Sequence, residues 1–210
     1  MSVDQTALYE ARLELVNFLV DVYADYPPIE LLERLLEKDF TIPDGEVSDE
    51  LDAGFEALER FAEENADRTA EEVREDLEVE YTRVFVGPRP PVQPHETYYR
   101  EDTDFRGAGL AKVEASYNAA GWTPPEDYPE EDDHVAVELA FLRYLVKRQR
   151  SGDEEAFGFQ RVFHDEHLSH WIDDMAADVV ETTDETLYEA AGHLLAGYVG
   201  FEDEISDQMV

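Results

Sequence analysis

The sequence predicts an all-α protein of about eight to ten helices. Apolar residues recur every three or four positions along most of the 210 residues, which is the period of a helix with one buried face. Capping residues precede several of these stretches, and segments with the alternating pattern of a strand are nearly absent. Because 43% of the residues are hydrophobic, the helices have enough apolar surface to build a core.

Four helices are predicted before the first break. Residues 2–5 have the form of a capping box, and Pro28 suits the start of a second helix. Ser48 can cap a third helix, and residues 69–72 form another capping box before a fourth. The apolar stripes of the first and third helices include Leu8, Leu15, Phe18, Leu51, Phe55 and Leu58. The fourth pattern ends at Pro88, because proline fixes φ and has no backbone donor.

Two proline-rich breaks interrupt the helical pattern. Four of the ten prolines fall within residues 88–94, where they form a rigid, aromatic-rich connection. The second break, residues 121–131, is predicted to be a hinge between an N-terminal part (1–120) and a C-terminal part (132–210) of one domain.

Helices resume after the second break and continue to the C-terminus. Asp132 or Asp133 is predicted to cap the next helix, since aspartate is a favoured N-cap. Residues 182–185 are predicted to cap the last helix.

The charge balance is strongly acidic. Sixteen Lys and Arg against 53 Asp and Glu give a net charge of −37, whereas a small soluble domain needs only about 2–8 in magnitude. The acids are spread over every segment, which favours adaptation of the whole surface to a salt-rich cytoplasm. We therefore expect the chain to lose compactness in low salt. The absence of a basic stripe makes nucleic acid an unfavourable partner.

Other classes of protein are disfavoured by what the sequence lacks. It has no cysteine, so it offers no disulfide and no thiolate ligand or nucleophile. It has no secretory signal pattern and no apolar run near the roughly 20 residues of a membrane span, and we expect a cytoplasmic protein. It also has no GxSxG motif and no phosphate-binding glycine loop.

Three histidines, His164, His167 and His170, leave a metal site open as an alternative. On a helix, positions three apart are neighbours, but positions six apart lie about 120° apart around the axis. Three such ligands converge poorly on a tetrahedral ion. We expect no metal or other cofactor, with a helical metal-dependent enzyme as the alternative.

Three segments together resemble the motifs of one protein family. They are EYTRVFVGP with PHETYY (residues 80–88 and 94–99), DDHVAVELAF (132–141) and FHDEHLSHW (163–171). In the same order they are similar to EYxxLFxGP…PYESVY, PDHxxxELxF and FxxxHLxxW of the TorD/DmsD redox-enzyme maturation chaperones, to which NarJ proteins are more distantly related. Any one of these matches alone would be weak.

The resemblance implies a TorD-like helical chaperone and not an enzyme. Its expected partner is the apo-form of a molybdopterin oxidoreductase catalytic subunit, of the dimethyl sulfoxide or trimethylamine N-oxide reductase type. Such chaperones bind the twin-arginine signal peptide of that subunit and delay export. The resemblance also implies that two copies can form a homodimer by swapping halves through the hinge.

The resemblance also implies a peptide-binding site. The apolar stretch of the signal peptide would pack on aromatic residues and prolines, and its arginines would meet carboxylates. The expected site consists of eleven residues: Tyr81, Phe85, Gly87, Pro88, Pro94, Glu96, Tyr99, Asp133, His134, Glu138 and Phe141. A helical scaffold without any peptide site is a further alternative.

Overall fold

Helices joined by short connections make up the chain. The computed structural model describes residues 5–43, 45–100, 106–125 and 131–209. The α-helices of these residues are α1 (Gln5–Ala24), α2 (Ile29–Leu36), α3 (Asp49–Glu64), α4 (Ala70–Tyr81), α5 (Glu96–Tyr99), α6 (Arg106–Ala119), α7 (Val135–Arg150), α8 (Glu155–Glu166), α9 (Ile172–Thr182) and α10 (Thr186–Met209). A π-helical turn, Thr82–Val86, continues α4, and a 3₁₀ turn, Leu168–His170, precedes α9. The predicted all-α class and helix number are confirmed.

Two of the predicted helix starts have the expected side-chain caps. The Ser48 hydroxyl accepts a hydrogen bond from the backbone N–H of Leu51 at 3.2 Å. Thr69 and Glu72 form a complete capping box, in which each side chain accepts from the backbone N–H of the other residue. These bonds satisfy N–H groups that have no partner within the helix. The capping box predicted at residues 2–5 lies mostly outside the described residues.

The last helix, α10, organises the packing. It contacts α3 along much of its length and also α1, α8 and α9, while α1 packs against α7. The approach to α3 is close because glycines face leucines: a Cβ on Gly54 would lie 2.5 Å from Leu194, and one on Gly197 would lie 2.7 Å from Leu51. These contacts join the two predicted parts of the chain into one helical bundle.

The predicted hinge falls partly outside what the structure describes. Residues 126–130 are not among the described residues, so only the two ends of the second proline-rich break are seen. Within the described residues, no helix has the length and apolar character that a membrane crossing requires.

Candidate functional site

The first and second motifs meet in the folded chain, at a contact that we call the seam. The seam consists of residues 93–100 and residues 131–138. The backbone N–H of Glu96 donates to the carbonyl of Asp133 at 2.9 Å, and that of Val135 donates to the carbonyl of Pro94 at 2.8 Å. His95 and His134 thereby form an antiparallel bridge. The proline-rich connection is thus fixed against the start of α7.

Asp133 is held by three hydrogen bonds from within the seam. It is 1% exposed and accepts hydrogen bonds from His95 Nδ1 at 3.0 Å, Thr97 Oγ1 at 2.6 Å and the Thr97 N–H at 3.2 Å. Burial by itself raises the pKa of Asp133, but the bonds from His95 and Thr97 outweigh burial and hold the pKa below its ordinary value. The carboxylate is therefore ionised, and His95 and Thr97 provide its hydrogen bonds inside the protein.

His134 caps α7, so the expectation that Asp132 or Asp133 does so is wrong. The Nδ1 atom of His134 accepts from the backbone N–H of Ala136 at 3.2 Å. An acceptor nitrogen carries no proton, and the proton of the neutral ring is therefore on Nε2. Burial, together with the nearby His95, lowers the pKa of His134 to about 3. The ring is thus neutral at physiological pH.

The other two predicted carboxylates are also enclosed. Glu96 is 2% exposed and binds Arg100 at 2.6 Å and the Nδ1 atom of His167 at 2.9 Å. Glu138 is fully buried, and one of its oxygens accepts from Trp171 Nε1 at 3.3 Å. Burial, with the charges of Glu96 and Asp133, raises the pKa of Glu138 well above its ordinary value. All three carboxylates are thus buried and have partners within the protein, and the expected role of Asp133, Glu96 and Glu138 toward the arginines of a leader stays a prediction.

Beside the seam lies a cavity of about 310 Å³, which we call the seam cavity. The π-helical turn after α4 forms one side of it, and the two histidines form another. Its lining consists of Tyr81, Phe85, Val86, Gly87, Pro90, Gln93, Pro94, His95 and His134. Five of the eleven predicted residues, Tyr81, Phe85, Gly87, Pro94 and His134, therefore share one cavity.

The remaining predicted residues lie elsewhere. Phe141 is 1% exposed and packs in the core against Tyr117 and Phe163. The Tyr99 hydroxyl donates to Asp178 at 2.8 Å, and Pro88 is exposed. Phe141 follows the apolar face of α7, so its place in the core is the ordinary result of helical periodicity.

The three histidines of the metal alternative do not converge. His164 Nδ1 lies 2.9 Å from Asp203, and His170 is exposed. His167 is buried and bonded through Nδ1 to Glu96 and through Nε2 to Ser116. The helix that would align these residues breaks at His167, where the 3₁₀ turn begins. The sequence pattern therefore does not produce a three-histidine site.

A second and larger concavity, which we call the apolar groove, lies between α1, α2, α3 and α10. Its volume is about 800 Å³. Apolar side chains of all four helices line it, including Leu8, Leu15, Phe18, Leu31, Leu35, Phe55, Leu58 and Phe201. Sequence reasoning identified several of these residues only as core. The one signal in the sequence was the length of the apolar stripe on α1. In the structure its residues Leu8 and Leu15 are half-buried and line the groove.

Charged residues surround the apolar groove. Arg34 pairs with Glu14 at 3.0 Å and with Asp39 at 3.6 Å, and Arg150 lies 3.9 Å from Glu10; the side chains of these pairs are 37–75% exposed. Beneath the groove, Arg12 is buried and binds both carboxylate oxygens of Glu202. The groove is thus lined by apolar side chains, with the buried Arg12–Glu202 ion pair beneath them and partly exposed ion pairs at its edge.

Comparison with known proteins identifies a family whose model matches the chain. Residues 46–177, more than half of the chain, match the family described as nitrate reductase delta subunit. The matched residues include the whole seam. A comparison with curated proteins finds no match. The matched family is one of maturation chaperones and not of catalytic enzymes, which agrees with the expectation that the protein is not an enzyme. The chain therefore belongs to the nitrate reductase delta subunit family of redox-enzyme maturation chaperones.

Proposed function

We propose that this protein is a cytoplasmic chaperone that binds the twin-arginine leader of a molybdopterin oxidoreductase catalytic subunit before export. Family membership supports the chaperone role, and the three TorD/DmsD-like motifs support the finer choice of partner. A twin-arginine leader joins two adjacent arginines to an apolar stretch. Its binding site therefore needs a long apolar surface with accessible carboxylates beside it.

The apolar groove is the surface that best meets this need. At about 800 Å³ it is more than twice the size of the seam cavity, and apolar side chains of four helices line it. Each leader side chain that is buried there contributes about 1.5–3 kcal/mol, from which the free energy of ordering the peptide is subtracted. This groove is the single observation that carries the proposal.

The edge of the groove supplies the carboxylates. Glu10, Glu14 and Asp39 are paired with Arg150 and Arg34 in partly exposed salt bridges. Exposed pairs of this kind contribute only about 0–1 kcal/mol each. The leader's two arginines can therefore replace Arg34 and Arg150 at these carboxylates with little loss of stability.

This proposal assigns the arginines to a different set of acids from the one that the sequence suggested. Asp133 bonds the two sides of the seam together, whereas Glu96 and Glu138 bond to His167 and Trp171. Releasing any of the three to bind an arginine would leave a partner inside the protein unsatisfied. The proposed role of Asp133 is to fix the proline-rich connection to α7. The residues proposed to contact the leader peptide are those of the apolar groove.

The proposal is tested by binding a synthetic leader to groove variants in molar potassium chloride. The peptide carries two adjacent arginines followed by one apolar segment. Phe55 of α3 lines the groove and is half-buried, so Phe55→Asp places a charge against the apolar segment. We expect calorimetry to show at least about a tenfold loss of affinity, the equivalent of one lost apolar contact.

Val79 provides the matched control. It lies on α4, is 72% exposed and is not among the residues that line the groove. Val79→Asp makes the same apolar-to-acid change and should leave the affinity unaltered. Equal affinities for Phe55→Asp and the unaltered protein would overturn the assignment of the leader to the groove.

A further inference from the structure

A histidine and two aspartates come together where α8 meets α10, in a group that we call the α8–α10 cluster. The cluster consists of His164 and Asp165, near the end of α8, and Asp203 of α10. His164 Nδ1 lies 2.9 Å from a carboxylate oxygen of Asp203 and 4.0 Å from one of Asp165. One ligand atom from each residue lies within 4.8 Å of the other two. The cluster lies outside the seam, and none of its residues lines the seam cavity or the apolar groove.

The Nδ1 atom of His164 is buried and makes no hydrogen bond, although Asp203 is only 2.9 Å away. The oxygen of Asp203 therefore lies well to one side of the direction in which Nδ1 bonds. His193 shows the contrast, because its Nδ1 forms a regular hydrogen bond with Glu50 at 2.7 Å. A buried nitrogen without a partner costs free energy, and an ion on its bonding axis satisfies it.

The spacing of the three side chains suits a metal ion. Zinc binds imidazole nitrogen and carboxylate oxygen at about 2.0–2.2 Å, which holds two of its ligand atoms about 3–3.5 Å apart. The observed distances from His164 Nδ1, 2.9 Å to Asp203 and 4.0 Å to Asp165, lie on either side of this range. Two carboxylates also neutralise the charge of a divalent cation. Three protein ligands leave one of four positions for water.

The cluster is held firmly on one side and is open on the other. One turn before His164, Gln160 donates to the backbone carbonyl of Glu202 at 2.8 Å, which fixes α8 to α10 next to Asp203. The side chains of Asp165 and Asp203 are 63% and 34% exposed. These carboxylates can therefore move to admit an ion, while the backbones that carry them stay in place.

Arg161 is a cation with which a metal ion has to compete. Its Nε atom lies 3.9 Å from Asp165 and 3.7 Å from Asp207, and its side chain is 46% exposed. Exposed pairs at such distances contribute little to stability. Arg161 can therefore turn to solvent when an ion binds.

One other group of this kind occurs among the residues that the structure describes. It consists of His95, Glu131 and Asp133. Its histidine nitrogen, His95 Nδ1, is already hydrogen-bonded to Asp133 at 3.0 Å. Of the two groups, only the α8–α10 cluster has a histidine nitrogen that is buried and without a partner.

We propose that the α8–α10 cluster binds a divalent transition-metal ion, best matched by zinc, through His164 Nδ1, Asp165 and Asp203. An imidazole ligand favours zinc over Mg²⁺ and Ca²⁺, which prefer oxygen ligands alone. The bound ion links α8 to α10 and stabilises their contact. The proposal is independent of the leader and of the apolar groove, so either one can fail without the other.

The test adds zinc chloride to the metal-free, ¹⁵N-labelled full chain in molar potassium chloride at about pH 7.5, where free imidazole is mostly neutral. Excess Mg²⁺ is present to occupy weak carboxylate sites on the acidic surface. Spectra that correlate ring protons with ring nitrogens report each imidazole nitrogen separately. We expect one equivalent of zinc to shift the His164 Nδ1 signal strongly, while the signals of His193 and His95 stay unchanged.

Two variants compare zinc affinity by calorimetry under the same conditions. Asp203→Asn keeps the size of the side chain but removes a charged ligand, and it should weaken zinc binding at least about tenfold, the smallest loss typical even of groups that only support a ligand. His193→Ala is the control, because it removes a histidine that is also paired with a carboxylate, and it should leave the affinity unaltered.

Three results would each overturn the proposal. One is that stoichiometric zinc leaves the His164 signals in place, and another is that it shifts His193 or His95 as strongly as His164. The third is that Asp203→Asn binds zinc as tightly as the unaltered protein. The spectra of the unaltered protein decide between the first two results and the proposal even if a variant folds poorly.

Discussion

Asp133 in the seam accepts three hydrogen bonds from inside the protein, whereas Glu14 at the groove edge pairs with one partly exposed arginine. The seam contains parts of two of the recognisable motifs, and its carboxylates Glu96, Asp133 and Glu138 are buried. The apolar groove contains none of the three motifs, yet it has the larger surface and the accessible charges. In this chain the motif residues of the seam therefore stabilise the fold. The apolar groove, which contains no motif, is identified only from the packing of the helices.

The difference has a physical basis. A buried carboxylate must be paired with specific donors at specific positions, which restricts the residue types on both sides of the contact. An apolar groove needs only side chains that are apolar and of suitable size. The seam is thus easy to recognise in a sequence and the groove is not.

The largest effect is expected from Asp133→Ala. This change leaves His95 and Thr97 without their buried acceptor, and we expect the free energy of unfolding to fall by about 2–3 kcal/mol. Urea unfolding in molar potassium chloride, followed by circular dichroism, measures the change. Leader affinity measured under native conditions should stay within about twofold, because the groove is unaltered.

Asp67→Ala is the control for this experiment. Asp67 is exposed, and its replacement should change the free energy of unfolding by no more than about 0.5 kcal/mol. If Asp133→Ala abolished leader binding while preserving stability, the seam would be a peptide site and the contrast drawn between the two regions would be wrong.

A smaller effect is expected from the pH dependence of His134. Its pKa is lowered from 6.5 to about 3 in the folded protein. Between these values the unfolded chain binds the proton and the folded chain does not, so the stability associated with His134 is lost as pH falls below 6.5. From about pH 7 to about pH 5 this loss amounts to about 2 kcal/mol.

The variant His134→Asn isolates that contribution. Other groups titrate in the same pH range, but the change from His to Asn removes only the histidine. We expect the unaltered protein to lose about 2 kcal/mol more than His134→Asn over the same pH interval, as measured by urea unfolding at each pH. Identical losses would mean that His134 takes up a proton in the folded protein, which would contradict its role as the neutral cap of α7.

Much of the fold was predictable from local signals. The caps at Ser48 and Thr69 need only a side-chain oxygen and the helix that follows, and both form as expected. The cap of α7 was not predictable, because the side chain of Asp133 bonds to His95 and Thr97 and leaves the N-cap position to His134.

Two expectations from the sequence stay predictions. One is that two copies swap halves through residues 121–131, and the other is that the chain loses compactness in low salt.

The candidate site was predictable only in part. The resemblance selected five residues that share the seam cavity, because neighbouring motif residues are fixed in place by the seam. It could not show that Glu96 and Glu138 are enclosed, since their partners His167 and Trp171 are distant in sequence. The groove was missed because Leu8 and Leu15 have the same pattern as core residues, and only the packing of α2, α3 and α10 shows that they stay uncovered.

Hydrogen exchange of the full chain, with and without the synthetic leader, distinguishes the groove from the seam as the binding surface. In molar potassium chloride, we expect the leader to slow exchange in α1, α3 and the connection between α2 and α3, with little change in residues 93–100 and 131–138. Slowed exchange confined to those two seam segments, with α1 and α3 unaffected, would contradict this expectation.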